Sequence, residues 1–157
     1  MTALTALDLS NNQLTGTLPP TLVARCSVPG VTCALGNNQN LVPPNVAAYL
    51  LALPTNLSSV VISSTLWGVP AIGTLPSLAS YTALTTLAIT GNILTGTIPD
   101  TFSALTALQY LDLSSNNLNG TLPSSITSLQ SLQCLSVANN YLNGTTVILV
   151  CSESRDL

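Results

Sequence analysis

Few side chains of this protein could take part in proton transfer. The sequence has no histidine and no lysine, whereas general acid–base chemistry near neutral pH usually recruits His, Lys, Cys or paired carboxylates. Asp8 and Asp112 occupy equivalent places in two copies of a repeated segment, which belong to predicted coils of the chain that lie four coils apart. Stacked copies would hold them roughly 20 Å apart, beyond the span of about 5–10 Å of a glycosidase pair. We therefore predict no enzymatic activity and no cofactor.

The cysteines could bind a metal or form disulfides. They are Cys26, Cys33, Cys134 and Cys151. A zinc site is not expected, because histidine is absent and the cysteine spacing does not match known ligand pairs. Two disulfides would indicate an oxidising compartment, whereas reduced cysteines would be buried as small apolar residues.

Three Asn-x-Ser/Thr sequons, at Asn56, Asn119 and Asn143, could carry N-linked glycans. Asn119 and Asn143 occupy the same place in adjacent repeats, where a strand pattern directs the side chain outward. Equivalent residues of adjacent repeats are expected to lie about 5 Å apart. Glycans at both would form a column and supply solubility that the side chains lack.

A repeated segment carries most of these residues. Its copies are LTALDLSNNQLTGTLP from Leu4, LTTLAITGNILTGTIP from Leu84, LQYLDLSSNNLNGTLP from Leu108 and the partial LQCLSVANNYLNGTTV from Leu132. The last three start 24 residues apart, a period that indicates a solenoid. Apolar residues alternate with polar ones in each copy, as in a half-buried strand, so stacked copies are predicted to form a parallel sheet.

An asparagine follows the strand in each repeat. Its amide is flanked by core leucines, and we predict that it is buried at the bend, where it satisfies backbone groups of adjacent coils. The predicted ladder comprises Asn12, Asn38, Asn92, Asn116 and Asn140.

The pattern LxxLxLxxNxLxGxIP resembles the leucine-rich repeat, and the endings GTLP and GTIP resemble its plant-type extracellular subclass. The resemblance implies an α/β-type solenoid: a right-handed superhelix with a parallel sheet on the concave face and mostly loops or 3-10 turns on the convex face. We predict one domain of about six coils, with Trp67 at the core position of Leu94 in the irregular third coil. The coils are 1–24, 25–50, 51–78, 79–102, 103–126 and 127–150, and a tail covers 151–157.

The segment CSVPGVTC resembles the CxWxGVxC segment of the N-terminal cap in that subclass, with Val28 in place of tryptophan. The resemblance implies a disulfide between Cys26 and Cys33, and we then expect Cys134 to pair with Cys151. A full coil precedes this cap-like segment, which suggests a seam between two repeat blocks. The chain starts inside a repeat, so we expect it to be part of a longer secreted precursor.

Composition limits the partners. Only 4% of the residues are charged and the formal net charge is -3, against about 25% charged residues in an average protein. Two arginines cannot form the basic surface that nucleic acid or an anionic membrane requires. The most apolar stretch, 46–54, is far shorter than the roughly 20 residues that span a bilayer. We expect neither nucleic-acid binding nor membrane insertion.

Three functions remain open. The resemblance implies a non-catalytic, extracellular or cell-surface glycoprotein domain that acts through protein–protein contacts. Its binding face would comprise outward strand residues, although these could equally be small residues without a ligand. They are Asp8, Ala34, Val61, Ala88, Tyr110, Asp112 and Ser136.

The first alternative is a structural protein, a subunit that joins copies of itself end to end into a glycan-coated filament or matrix. Exposed strand edges at the ends of a repeat array allow such contacts. The second alternative is an ice-binding protein, because threonines such as Thr15, Thr17, Thr95 and Thr97 recur in two columns. Asn119 interrupts one column, and a glycan there would break a flat face.

Overall fold

A computed structural model describes residues 5–26, 32–35, 38, 40–42, 45–63 and 70–144 of the chain. Its strands are short. They are β1 Ala6–Asp8, β2 Thr15–Thr17, β3 Thr32–Ala34, β4 Asn40–Val42, β5 Ser59–Ser63, β6 Ile72–Gly73, β7 Thr86–Thr90, β8 Ile93–Leu94, β9 Tyr110–Asp112, β10 Asn119–Thr121, β11 Cys134–Ser136 and β12 Tyr141–Asn143. The helices are α1 Pro20–Cys26 and α2 Val46–Ala52, with 3-10 helices at Phe102–Ala104 and Ser124–Ser128.

Two sets of parallel strands connect successive coils. In the first set, β5, β7, β9 and β11 form a four-stranded sheet, and β1 pairs with β3. In the second set, β2 pairs with β4, β6 with β8, and β10 with β12. Backbone bonds from Asn117 to Leu94 and from Asn119 to Gly96 join β8 to β10. The predicted fold class, a solenoid of parallel strands with loops and 3-10 turns, is confirmed.

The first strand set is not one continuous sheet. Among the described residues no strand pair joins β3 to β5, and a bridge between Asn45 and Ile72 connects the coils at this point. The break coincides with a change from α-helices to 3-10 helices on the opposite side of the coils.

Inward-facing strand residues form the core. Each strand of the four-stranded sheet contributes alternate residues, as the period-two pattern predicts. The fully buried members from β5, β7 and β9 and from the segment after β9 are Ile62, Leu87, Ile89, Leu111 and Leu113. Phe102 of the first 3-10 helix is also buried, at 1% exposure. This apolar layer fixes the direction of the outward side chains on the same strands.

Helix α2 has defined bonds at both ends. The Asn45 side chain accepts from the Ala48 backbone N–H at 3.0 Å, the usual role of an N-terminal capping asparagine. At the other end, the buried Tyr81 hydroxyl donates to the carbonyl oxygens of Leu50 and Leu53. Later repeats have leucine in place of Tyr81. Tyrosine is needed at this position because the carbonyl groups at the end of an α-helix have no partners within the helix, and the Tyr81 hydroxyl donates to them here.

In the third coil, the structure differs from the sequence-based prediction of which residue occupies one core position. The Ile93 N–H donates to the Ala71 carbonyl, as the Asn117 N–H does to Leu94 one coil later. Ala71 is fully buried, and it therefore holds the place in coil three that Leu94 holds in coil four. The repeat pattern predicts Trp67 at that place, and Trp67 lies outside the described residues. Ala71 comes four residues later in the sequence than the repeat pattern indicates.

Candidate recognition surface

Outward residues of the four-stranded sheet lie in register. The pairs Val61 with Ala88, Ala88 with Asp112, and Asp112 with Ser136 form one continuous row across β5, β7, β9 and β11. A second row, two residues earlier on each strand and therefore on the same face, consists of Ser59, Thr86, Tyr110 and Cys134. The predicted central column therefore exists as a row of contiguous residues in this sheet.

The two remaining members of the predicted face lie in the other sheet. Asp8 pairs with Ala34 between β1 and β3, and both are exposed. Because β3 and β5 are not paired in the described part of the chain, the predicted face consists of two separate portions. Ala88 is only 5% exposed, so its backbone and methyl group shape the surface without offering a polar contact.

Tyr110 and Asp112 form the chemically distinct part of the face. Both point outward from β9, and the Tyr110 hydroxyl lies 3.4 Å from Asp112 Oδ2, to which it donates. Burial raises the pKa of Tyr110, and the negative charge and hydrogen bond of Asp112 raise it further. The tyrosine thus stays protonated at neutral pH and presents an aromatic ring beside a carboxylate.

Each outward aspartate also closes a turn. Asp112 Oδ1 accepts from the Ser114 backbone N–H at 2.9 Å, and Asp8 Oδ1 accepts from the Ser10 N–H at the same distance. Bonds from the Ser10 hydroxyl and N–H lower the pKa of Asp8. The LDLS motif therefore has a local structural role at both sites, which sequence reasoning did not identify.

Two of the cysteines form a disulfide within the described chain. Cys26 and Cys33 are joined, with their Cα atoms 5.5 Å apart. Cys134 is also disulfide-bonded, and it is buried at one end of the second outward row. Its expected partner, Cys151, lies outside the described residues.

Four ladder asparagines, of which Asn140 is half-buried and the others are buried, bond to the coil before their own. In each case Oδ1 accepts from a backbone N–H of the preceding coil, and Nδ2 donates to a carbonyl at the end of the preceding strand. The pairs of N–H and carbonyl partners are Leu14 and Leu9 for Asn38, Ala71 and Ile62 for Asn92, Leu94 and Ile89 for Asn116, and Leu118 and Leu113 for Asn140. These bonds set the spacing of adjacent coils.

Asn12 departs from the predicted pattern. It is exposed, and its side chain donates only to the Leu9 and Ser10 carbonyls of its own coil, at 3.0 and 3.1 Å. The described residues include no preceding coil to which it could bond. The prediction that this asparagine is buried is therefore wrong.

The residue before a ladder asparagine has a left-handed backbone. The φ angles are 56° at Asn11 and Ser115, 55° at Asn139 and 64° at Gly91. Only glycine, and to a lesser extent asparagine and aspartate, adopts this conformation readily. The recurrence of Asn and Gly at this place in the sequence could have indicated the left-handed backbone, although Ser115 departs from that pattern.

All three sequon asparagines are exposed, but the predicted contact between two of them is wrong. Asn119 of β10 pairs with Tyr141, and Asn143 of β12 pairs with Thr121. The register of this ladder is shifted by two residues relative to the repeat. Two residues along a strand and one strand spacing place the two sequon asparagines about 8 Å apart rather than 5 Å.

The described residues include neither a candidate metal-ion cluster nor a helix that could span a membrane. They contain no group of three or more His, Cys, Asp or Glu side chains that could hold a metal ion. None of the described helices has the length and apolar character needed to cross a membrane.

Two family models match the chain. A model described as Leucine rich repeat matches residues 82–142, and a second leucine-rich repeat model matches residues 3–24. No curated protein matches the chain.

Solved structures of plant receptors share the fold. A chain in the structure of the Arabidopsis receptor kinase HAESA, with the peptide hormone IDA and the co-receptor SERK1, is 29% identical with a TM-score of 0.61. One in the structure of the GASSHO1/SCHENGEN3 ectodomain from Arabidopsis thaliana, with CASPARIAN STRIP INTEGRITY FACTOR 2, is 33% identical with a TM-score of 0.55. One in the BIR3–SERK2 complex from Arabidopsis thaliana is 25% identical with a TM-score of 0.51.

These matches cover 88%, 87% and 87% of this chain, and 22%, 16% and 68% of the respective matched chains. The chain therefore spans about a fifth of the length of the HAESA chain that it matches. The repeated asparagine ladder, the two parallel strand sets and the two family matches agree. The chain belongs to the leucine-rich repeat family, and its repeats are of the plant type.

Proposed function

We propose that this chain is a non-catalytic recognition domain of an extracellular glycoprotein. It binds a protein or peptide along the outward face of β5, β7, β9 and β11. The observation that carries the proposal is the row of small side chains around a single anionic centre, Asp112, with the Tyr110 ring beside it.

The shape of this row suits an extended peptide. Ala88 and Ser136 flank Asp112 on the two neighbouring strands, and small residues allow a partner side chain to approach the carboxylate. Tyrosine is among the residue types that contribute most to binding energy at interfaces. Tyr110 is the only aromatic residue on these four strands.

The chemistry of the row favours a basic partner. Asp112 already accepts bonds from Ser114 and Tyr110, but an ionised carboxylate has about four acceptor sites. Asp112 is the sole charged residue of these four strands. An arginine or lysine of the partner would therefore bind Asp112, with its methylene groups or an adjacent apolar residue against Tyr110.

The structural relatives support a protein or peptide partner. The HAESA structure contains a peptide hormone and a co-receptor, and the GASSHO1/SCHENGEN3 structure contains CASPARIAN STRIP INTEGRITY FACTOR 2. Because this chain covers only a small part of those receptors, its own partner need not match theirs. The relatives, which include the ectodomain of a plant membrane receptor kinase, support an extracellular location. The exposed sequons support glycosylation.

The test is selection of a displayed random-peptide library on the immobilised chain. We expect selected peptides to contain Arg or Lys next to an apolar residue. Their affinity should fall about tenfold or more in Tyr110→Ala and in Asp112→Asn, since tenfold corresponds to about 1.4 kcal/mol. Thr97→Ala, at an exposed position after β8 and outside the four-stranded sheet, is the matched control and should bind as the wild type does. A library without binders, or binders indifferent to both substitutions, would contradict the proposal.

The two alternatives remain predictions. For ice binding, Thr95 and Thr97 follow β8 and are exposed, but Ile93, Asn119 and Tyr141 of the second strand set are also exposed and would interrupt a threonine array. A freezing-hysteresis assay tests it. For assembly into filaments, electron microscopy and light scattering of the native glycosylated protein distinguish filaments from discrete particles.

A further inference from the structure

Tyr141 is a large side chain left in solvent beside a glycosylation sequon. Its exposure is 70%, the highest among the exposed large hydrophobic side chains of the described chain. No described residue forms a hydrogen bond with its hydroxyl. A tyrosine so exposed in a strand stabilises neither the core nor a polar network, which raises the question of what covers its ring.

The strand register places one sequon directly opposite this ring. Asn119 of β10 is the Cα partner of Tyr141 of β12, and adjacent strands lie about 4.8 Å apart. Both strands have the burial pattern exposed, intermediate, exposed. The Asn119 and Tyr141 side chains are therefore neighbours on one exposed face.

We propose that Tyr141 is the stacking platform for an N-linked glycan on Asn119, with the first N-acetylglucosamine lying over the tyrosine ring. The face of an aromatic ring is negative, and the C–H groups on one face of a pyranose carry partial positive charge. The first sugar is bonded to Asn119 Nδ2, so the linkage itself holds it near the adjacent strand. Tyrosine has only two side-chain torsions and loses little conformational freedom on contact.

The geometry favours Asn119 over Asn143 as the source of this sugar. Asn143 lies on the same strand as Tyr141, two residues away, which is about 6.6 Å along the strand. Its own cross-strand partner is Thr121, a small side chain without an aromatic face. The sugar on Asn119 faces the ring across a single strand spacing.

This inference rests on the glycoprotein part of the proposed function and is independent of the recognition face. Tyr110 and Asp112 belong to β9, in the first strand set, whereas Asn119 and Tyr141 belong to the second. Loss of the sugar contact should therefore leave peptide binding at the recognition face unchanged.

The experiment uses the full chain secreted from a eukaryotic host that adds high-mannose glycans. Peptide mapping by mass spectrometry measures occupancy of Asn119, and an endoglycosidase then trims each glycan to a single N-acetylglucosamine. We expect the N-acetyl or ring protons of one sugar to shift upfield in NMR spectra through the ring current of Tyr141. The shift should persist in Tyr141→Phe and disappear in Tyr141→Ala and in Asn119→Gln.

Thermal unfolding gives the second readout. Trimming to one sugar should leave Tm nearly unchanged, whereas Asn119→Gln should lower it by about 2–4 °C, the effect of one contact in a domain of this size. In a Tyr141→Ala background the same Asn119→Gln substitution should have no effect. Asn56→Gln removes an exposed sequon in a turn and is the control, since its effect should not depend on Tyr141.

Three results would overturn the inference: an unoccupied Asn119, sugar shifts that survive in Tyr141→Ala, or an Asn119 effect on Tm that is the same in both backgrounds. Each leaves the recognition face open to its own test. Peptides that bind normally to Tyr141→Ala but not to Tyr110→Ala would separate the two proposals.

Discussion

Replacing Asn116 with alanine removes the amide that joins the fourth and fifth coils. This side chain is 4% exposed, and its Nδ2 donates to the carbonyls of Ile89, Leu113 and Ser114 at 2.7, 3.1 and 3.1 Å. Its Oδ1 accepts from the Leu94 N–H at 3.2 Å. The substitution deletes both kinds of bond and adds no group that could replace them.

The magnitude follows from which backbone groups lose a partner. The Leu113 carbonyl keeps the Asn140 Nδ2 at 2.9 Å, and the Ser114 carbonyl keeps the Gly91 N–H. Leu94 N–H and Ile89 carbonyl belong to fully buried residues and lose their amide partner. Each buried group left unpaired costs about 1–3 kcal/mol, so we expect a loss of about 2–6 kcal/mol. That corresponds to a Tm lower by about 5–20 °C.

The assay is urea unfolding followed by circular dichroism, with thermal scans on the same samples. Asn12→Ala is the matched control, because Asn12 is exposed and bonds only within its own coil. Surface substitutions usually change stability by less than about 0.5 kcal/mol. Asn116→Asp keeps the size of the side chain but cannot donate when ionised, and it should be at least as destabilised as Asn116→Ala.

The reasoning fails if Asn12→Ala and Asn116→Ala lose the same stability within error. It also fails if Asn116→Asp is as stable as the wild type, since the volume of the side chain would then be what matters. Comparison of midpoints is valid only if the slope of free energy against urea is unchanged, and this should be checked for each variant.

Three further substitutions test other local features. Gly120→Ala should lose more stability than Gly16→Ala. Both glycines have a left-handed φ, which costs a non-glycine residue about 1–2 kcal/mol, but only at Gly120 would the new Cβ be crowded, because it would lie 2.9 Å from Thr97 Cγ2, whereas no described atom lies within 4 Å of a Cβ at Gly16. Equal shifts in Tm for the two variants would contradict this prediction. Ser115→Gly should raise the free energy of unfolding by up to about 1 kcal/mol, because it relieves a φ of 56°; lower stability in urea melts would show that the serine conformation is not strained. Tyr81→Phe should lose about 1–3 kcal/mol, because the carbonyl of the buried residue Leu53 loses the hydroxyl that donates to it at 3.1 Å, whereas the Leu50 carbonyl keeps the Leu53 N–H. Burial raises the pKa of Tyr81, so the unfolded chain releases this proton at a lower pH than the folded chain, and the free energy of unfolding falls as the pH rises above about 10. Between pH 9 and 11, the Tm of Tyr81→Phe should therefore fall less steeply than that of the wild type. Parallel curves of Tm against pH would refute the assignment.

The regular part of the fold could be predicted because each repeat has the same alternation of buried and outward residues. Leu87, Ile89, Leu111 and Leu113 alternate with outward residues, and the structure buries all four. The 24-residue period translates directly into the register of Leu87 with Leu111. In this sheet, therefore, the sequence spacing of equal-length repeats determines which residues are neighbours.

The second strand set could not be predicted in the same way. Its strands follow a turn with a left-handed residue, and the register there depends on how the turns stack. Asn119 lies opposite Tyr141, 22 positions along the chain, and not opposite Asn143. A shift of two residues leaves the inside and outside pattern unchanged, so hydrophobic periodicity cannot reveal it.

The irregular third coil shows a different limit. The sequence contains extra residues before Ala71, and the pattern alone offered Trp67 for the buried place. The structure gives that place to Ala71, whose N–H donates to Asn92 Oδ1 at 2.8 Å. An alanine does not stand out among apolar residues, and only the bonding partner of the next asparagine identifies its position.

The two strand sets account for the unusual composition of the chain. A solenoid coil has one core and several outward faces, and with 4% charged residues these faces cannot all be made soluble by charge. The four-stranded sheet of the first set has a single charged residue, Asp112, which lies beside Tyr110, where a partner would desolvate both. The second set exposes Ile93 and Tyr141, and Tyr141 lies opposite the sequon residue Asn119, where sugars rather than charged side chains would shield the apolar surface. On this view, the carboxylate is reserved for binding a partner and glycosylation is the source of solubility, so removing the sequons should promote aggregation while leaving the recognition face intact.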